Sequence, residues 1–78
     1  MSRATFTRRF TAAVGQPPAA YLMTNRLRRA ARLLHESDAP LVAIARRTGY
    51  AAESALAGAF RHEYGMTPGA YRGARQVQ

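Results

Sequence analysis

The chain has 78 residues and no cysteine, so neither a disulfide nor a zinc thiolate site can support what we expect to be one small domain. Twelve basic residues stand against four acidic ones and give a net charge of +8 at pH 7, an excess that favours polyanionic partners, above all nucleic acid. Since no secretory signal and no apolar run of about 20 residues are present, we expect a soluble, cytoplasmic protein without membrane contact.

The first predicted helix covers about Arg3 to Val14. Ser2 is a favourable N-cap residue, and Phe6 and Phe10 lie on one face at helical spacing. Gly15 is expected to end the helix, because glycine adopts the left-handed conformation that closes many helices.

A long second helix is predicted from about Ala19 to Glu36. Pro17 and Pro18 can begin it, since a proline in the first turn has no hydrogen-bond donor to lose. Its apolar residues follow the 3.6-residue period, and they are Met23, Leu27, Ala30, Ala31 and Leu34. The opposite face carries arginines at positions 28, 29 and 32.

Three shorter helices complete an all-α fold, because no stretch shows sustained two-residue alternation. Residues 37–40 predict a turn, followed by a short helix to about Thr48 with Leu41, Ile44 and Ala45 turned inward. Gly49 supplies the left-handed residue of a tight turn between helices. The fourth predicted helix runs from about residue 52 to 64 and the last from Pro68 through Arg72.

The segment around Gly49 has the layout of a helix-turn-helix. A small residue, Ala45, permits a close crossing of two helices, and Gly49 makes the turn between them. The second helix would then present its outer, N-terminal side to a DNA major groove. A helical hairpin that does not bind DNA remains the alternative for this segment considered alone.

The chain also repeats itself at an offset of 50 residues. The five identical positions are Phe10, Gly15, Pro18, Ala20 and Tyr21 in the first copy and Phe60, Gly65, Pro68, Ala70 and Tyr71 in the second. Two copies are too few for a solenoid, which needs about three or more repeats to bury a continuous core. Two similar DNA-reading units at a fixed spacing are the better interpretation.

Taken together, these residues resemble the C-terminal DNA-binding domain of the AraC/XylS family of bacterial transcription regulators. The resemblance covers about residues 1–72. It is carried by Phe6, Arg8, Phe10, Gly15, Pro18, Tyr21, Leu22, Arg26, Leu27, Ala30, Ala31, Leu33, Leu34, Ile44, Ala45, Gly49, Tyr50, Glu53, Ser54, Ala55, Leu56, Ala59, Phe60, Arg61, Gly65, Met66, Thr67, Pro68, Tyr71 and Arg72.

The resemblance implies a homeodomain-like fold with two helix-turn-helix units that contact adjacent major-groove segments of double-stranded DNA. Residues 1–16 would be a remnant of the first unit, 17–36 the connecting helix and 40–72 the complete second unit. We therefore expect a fragment that lacks two N-terminal helices and the effector domain, and that binds no small-molecule effector. RNA polymerase is left open as a further partner.

Carried over by position, the base-facing residues of the second unit are Glu53, Ser54 and Ala55, followed by Gly58, where the family commonly has arginine. The first unit has Arg3, Ala4, Thr7 and Arg8 in the corresponding places. Arg8 is the best candidate for a guanine contact, because a planar guanidinium can bond two guanine acceptors, and a contact with phosphate alone is the alternative.

The other arginines are assigned plainer roles. Arg46, Arg47 and Arg61 could hold phosphates, which fix the register on DNA without reading sequence. Arg26 is expected to be structural, and Arg72 and Arg75 are expected to be solvated tail charges. Tyr21 and Tyr71 are expected to fill the core rather than stack on bases.

Enzymatic activity has little support, since His35 and His62 lack evident metal or catalytic partners, and no cofactor is expected. The function predicted from the sequence is that of a DNA-binding transcription regulator. Two alternatives remain open. One is a truncated regulatory decoy that binds proteins rather than DNA, and the other is a cationic membrane-surface peptide built on Phe6, Phe10 and the nearby arginines.

Overall fold

The computed structural model describes residues 1–75, and this part of the chain contains five helices and no strand. The helices are α1 (Arg3–Val14), α2 (Pro18–Glu36), α3 (Leu41–Arg47), α4 (Glu53–Tyr64) and α5 (Pro68–Arg75). The predicted all-α fold is confirmed, with α5 extending three residues beyond its predicted end. In the described part of the chain, no helix combines the length and apolar character that a membrane span requires.

The ends of the helices follow from single residues. The Ser2 hydroxyl accepts a hydrogen bond from the Thr5 backbone N–H at 3.1 Å and so caps α1. Gly15 and Gly65 close α1 and α4 in the left-handed conformation, with φ of 92° and 73°. Ala52 precedes α4 and forms no side-chain cap, because alanine carries no acceptor.

Helix α2 is the central element and contacts the other four helices. Its predicted apolar stripe packs against α3 and α4, and the buried core consists of Leu27, Ala30, Ala31, Leu34, Ile44, Ala45, Leu56 and Phe60. Each large side chain buried in this way stabilises the fold by about 1.5–3 kcal/mol relative to exposure. The core therefore lies between residues 27 and 60 and holds α4 firmly against α2.

The turn between α3 and α4 is fixed by a hydrogen bond to α3 and by a contact with α2. The buried Thr48 hydroxyl donates a hydrogen bond to the Ile44 carbonyl at 2.7 Å, and Gly49 follows with φ of 89°. The guanidinium carbon of Arg26 lies 5.9 Å from the centre of the Tyr50 ring, within the range of a cation–π interaction. Arg26 thus has the structural position that its sequence context predicts.

Aromatic rings join α4 to α5. Phe60 stacks on Tyr64 with ring centres 4.3 Å apart, and Tyr71 meets Phe60 edge-on at 5.3 Å. Tyr71 therefore packs against the core as predicted. The same prediction is wrong for Tyr21, which is 39% exposed, because its ring lies against Phe10 of α1 instead of the buried cluster.

Arg72 is not the solvated charge that its position near the C-terminus suggests. Its guanidinium donates hydrogen bonds to the backbone carbonyls of Leu34 and Ser37, both at 3.2 Å. These carbonyls lie at the C-terminal end of α2, where the last carbonyls of a helix lack intrahelical partners. Arg72 consequently ties α5 to α2, while the side chain of Arg75 lies outside the described residues.

Candidate nucleic-acid interface

Helices α1 and α4 are structural copies of each other at an offset of 50 residues. Each has twelve residues, each ends at a glycine with positive φ, and each is followed by a helix whose first residue is proline. The N–H groups of Gly15 and Gly65 bond to the carbonyls of Thr11 and Arg61, again 50 residues apart. The repeat in the sequence is therefore a repeat of local structure.

The aromatic contacts that orient the two copies are also the same. The Phe10 and Tyr21 rings lie 5.4 Å apart at 71°, and the Phe60 and Tyr71 rings lie 5.3 Å apart at 73°. Edge-to-face pairs of this kind are a preferred arrangement of aromatic rings. Each tyrosine thus fixes the angle at which α1 or α4 meets the helix after it.

The copies differ in how deeply they are buried. Phe60 and Leu56 of α4 are fully buried, whereas Phe6 of α1, which corresponds to Leu56, is 49% exposed. No residue of α1 is buried, and this helix packs on α2 near Tyr21. The position of α4 is consequently set by the core and that of α1 by a smaller contact.

Ser54, Gly58 and Arg61 form what we call the outer face of α4. They are spaced four and three residues apart, so they share one side of the helix, and all three are exposed. Glu53 and Ala55 are exposed beside them at the N-terminal end. A Cβ at Gly58 would meet nothing within 4 Å, so this face has space for a longer side chain at its centre.

The predicted contact residues of α1 lie side by side. Ala4 and Arg8 are exposed and one turn apart, and Arg3 and Thr7 occupy the adjacent strip. Thr7 is partly buried, and its carbonyl accepts a hydrogen bond from the Thr11 hydroxyl at 2.7 Å. The structure therefore brings the four predicted residues of the first unit onto one contiguous side of α1.

Arg46 and Arg47 are neighbours in sequence but line different surfaces. Arg46 borders a hollow together with Tyr50 and Glu53, at the N-terminal end of α4. Arg47 lines a groove with α2, on another side of α3. The two arginines, each predicted to hold a phosphate, thus line different surfaces of α3, and only Arg46 adjoins the N-terminus of α4.

The pKa values of two tyrosines are shifted, Tyr50 just before α4 and Tyr64 at its C-terminal end. Burial raises the pKa of Tyr50 above its ordinary value, an effect that the nearby Arg26 guanidinium partly reverses and Glu63 adds to. Burial likewise raises the pKa of Tyr64. Both phenols therefore remain protonated at neutral pH, and neither supplies a negative charge that would repel a polyanion.

The length of the molecule suits two contacts on one DNA face. Helix α2 has 19 residues and so spans about 28 Å at 1.5 Å per residue. The longest dimension of the described chain is 47 Å. Successive major-groove segments on one side of DNA lie roughly 34 Å apart, a distance that fits within this length.

A family model described as a helix-turn-helix domain matches residues 1–74. The chain belongs to this family. The match includes α1 to α4 and nearly all of α5. The match covers the pair α3 and α4 with the turn at Gly49, which the sequence predicts to be the helix-turn-helix of the second unit.

The relatives of this chain include proteins named as AraC-like and as HTH-type transcription regulators. The chain is 51% identical over 72 residues to the "Putative AraC-like transcription regulator" of Streptomyces antibioticus. It is 44% identical over 72 residues to RclR of Escherichia coli K12, an RCS-specific HTH-type transcriptional activator. Each match covers 92% of this chain but only 24% and 25% of the relative, so the chain spans about a quarter of their length.

A solved structure has the same fold. The DNA-binding domain of AdpA, determined in complex with a target DNA, is 43% identical and superposes with a TM-score of 0.94. That match covers 99% of this chain and 69% of the AdpA domain. An AraC-type transcriptional regulator from Chromobacterium violaceum is 28% identical with a TM-score of 0.86, over 96% of this chain and 67% of that one.

Arg29 and Arg32 have no assigned role in the sequence beyond their place on the polar face of α2. The structure places both in the groove that Arg47 lines. Their spacing of three residues on the polar face of α2 was a visible signal, but nothing local in the sequence indicates that Arg47, fifteen and more residues later, lies across from them.

Proposed function

We propose that this domain binds double-stranded DNA by placing α1 and α4 in adjacent major-groove segments, as part of a transcription regulator. The observation that carries the proposal is the duplication of one helix geometry in α1 and α4, with the same capping glycine and the same aromatic pair. The net charge of +8 supplies the attraction to a polyanion.

Base contacts are proposed for the exposed N-terminal parts of the two helices. Arg8 of α1 is the residue best suited to guanine, because its guanidinium can bond O6 and N7 together. On α4, Ser54 can bond several base edges, Ala55 can contact a thymine methyl group, and Glu53 can accept from cytosine N4. Since Gly58 has no side chain, we expect α4 to discriminate between bases less strongly than a helix with arginine at this position.

Phosphate contacts are proposed for residues at the margins of these helices. Arg46 beside the N-terminus of α4 and Arg61 on its outer face are exposed. Arg3 and Thr7, which lie with Arg8 on one side of α1, stay proposed on the base-facing side. Ala4 is small enough to let the backbone of α1 approach the groove. Arg47 was predicted as a phosphate contact too, but its place on another side of α3 favours a different role for it.

The experiment is a selection of duplexes from a random pool by the purified chain, followed by fluorescence anisotropy of the selected duplex at several salt concentrations. We expect the slope of log affinity against log salt to change by about −0.9 for each phosphate neutralised. Arg8→Ala should weaken binding of the selected duplex about tenfold, the cost of one good base contact. Arg9→Ala, which removes the same charge from a neighbouring exposed position, should have a smaller effect.

A different result would favour the alternative function. If no sequence is enriched and the salt slope is near zero, the chain does not act through DNA, and the decoy function would be supported instead. Co-purification with RNA polymerase or with a full-length relative would then identify its partner. Equal losses for Arg8→Ala and Arg9→Ala would show that Arg8 contributes charge only.

A further inference from the structure

A second basic surface lies between α2 and α3. Arg29 and Arg32 of α2 and Arg47 of α3 line it, together with Leu33, and we call it the α2–α3 groove. The three arginines are exposed, while Leu33 is partly buried and packs against the core. Within residues 1–75, none of the three guanidinium groups forms an ion pair or a hydrogen bond.

The groove faces away from the outer face of α4. Leu27 and Leu34 of α2 pack in the core with Leu56 and Phe60 of α4. Because residues 29 and 32 lie about 140–200° around the helix from Leu27, they are on the opposite side of α2 from this core. The buried core therefore separates the arginines from a DNA duplex that contacts the outer face of α4.

The composition of the groove fits carboxylates combined with an apolar group. An arginine can bond a carboxylate through two parallel N–H···O hydrogen bonds, and three such groups surround a surface that Leu33 makes partly apolar. A phosphate backbone could bind the three arginines, but it has no apolar group that would pack on Leu33. Glu36 is the nearest carboxylate along α2, and its single negative charge is smaller than the charge of the three arginines. The surface therefore has a net positive charge.

We propose that the α2–α3 groove docks an acidic segment of a partner protein, with an apolar side chain of that segment on Leu33 and its carboxylates on Arg29, Arg32 and Arg47. The interaction does not depend on DNA, since the two surfaces lie on opposite sides of the domain. The same molecule can then hold a duplex and an acidic protein segment together.

The test uses a fluorescein-labelled short peptide of aspartate and glutamate with one central leucine, titrated with the complete chain in the absence of DNA. The variant Arg29→Gln/Arg32→Gln removes two charges from the groove. Its matched control, Arg9→Gln/Arg28→Gln, removes two charges from exposed positions outside the groove. Circular dichroism establishes that both variants fold.

We expect the groove variant to bind the peptide about tenfold more weakly and the control less than threefold more weakly. A peptide with serine in place of leucine should also bind more weakly. Peptide-induced NMR shifts should be confined to residues 29–33 and 47 and their neighbours. Equal losses for the two variants, or shifts spread over α1 and α4, would overturn the proposal in favour of general charge attraction.

The same variants measured with duplex DNA separate this proposal from the DNA-binding function. If the groove variant and the control bind DNA with equal affinity, the α2–α3 groove makes no special contact with DNA, and the docking of a protein segment is supported. If the groove variant loses much more DNA affinity than the control, the groove holds phosphate and the docking proposal fails, while DNA binding itself stands.

Discussion

Arg26 lies against Gly49 so closely that a Cβ added to the glycine would be 3.1 Å from the arginine Nε. Gly49 has φ of 89°, a conformation that other residues rarely adopt. The contact joins the long helix α2 to the turn between α3 and α4. Because Arg26 also lies near the Tyr50 ring, this single side chain helps to set the angle at which α4 leaves the turn.

Gly49→Ala should therefore destabilise the domain. The left-handed conformation alone costs a residue with a Cβ roughly 1–2 kcal/mol, and the crowding against Arg26 adds to this cost. In a domain of this size, 1 kcal/mol lowers Tm by about 4–8 °C. Thermal denaturation followed by circular dichroism measures the change.

Gly58→Ala is the control for that substitution, and the opposite result is expected. Gly58 lies inside α4 with ordinary helical geometry and nothing within 4 Å of a Cβ. Alanine in a helix interior is favoured over glycine by about 1 kcal/mol, so Tm should rise. If both alanine variants lowered Tm equally, the special role of the Gly49 conformation would be refuted.

The order of the helices and most of the core could be predicted from the sequence, because both depend on local spacing. Apolar residues at intervals of three and four predict the stripe of α2, and Gly15, Gly49 and Gly65 mark the turns. The 50-residue repeat further predicted that α1 and α4 would be alike.

Contacts between distant residues could not be predicted in this way. The bonds from Arg72 to Leu34 and Ser37 join residues 38 and 35 positions apart, and an arginine near a chain end has no local pattern that indicates them. Arg46 and Arg47 look equivalent in sequence, yet successive helical residues point about 100° apart. Their assignment to different surfaces required the placement of α2 and α4 around α3.

Arg72→Gln tests the role of the long-range bonds. Hydrogen bonds to charged groups contribute about 1.5–3 kcal/mol in favourable cases, and part of this is lost because Arg72 is partly exposed. We expect the free energy of unfolding in urea to fall by about 1–2 kcal/mol. Arg28→Gln on the exposed side of α2 should leave it nearly unchanged, and equal losses would contradict the structural role of Arg72.

The stability of the domain should decrease in alkaline solution. Burial raises the pKa of Tyr50 and of Tyr64 in the folded chain above the value of about 10 in the unfolded chain. As pH rises, the two phenols therefore lose their protons in the unfolded chain before they do so in the folded chain. Their contribution to the free energy of unfolding is complete below about pH 10 and is lost as pH rises through the folded pKa. Urea denaturation between pH 7 and 11 measures this loss.

Two variants identify the groups responsible. Tyr50→Phe removes a buried hydroxyl oxygen that has no hydrogen-bond partner among the described residues, so stability at pH 7 should be unchanged or slightly higher and the alkaline loss smaller. Arg26→Gln removes the charge that lowers the pKa of Tyr50, and NMR titration should show that pKa rising further. A fall of the Tyr50 pKa in Arg26→Gln would refute the assigned electrostatic contact.

The outer face of α4 should gain DNA affinity from one added side chain. Gly58→Arg places a guanidinium between Ser54 and Arg61, where the space is open, and should strengthen binding of a selected duplex about tenfold. Gly73→Arg adds the same charge to an exposed and equally open position of α5. The salt slope should steepen by about 0.9 for Gly58→Arg if the new group reaches a phosphate and by less for Gly73→Arg. Equal gains for the two variants would mean that only the net charge of the protein matters. The outer face of α4 would then not enter the major groove of DNA.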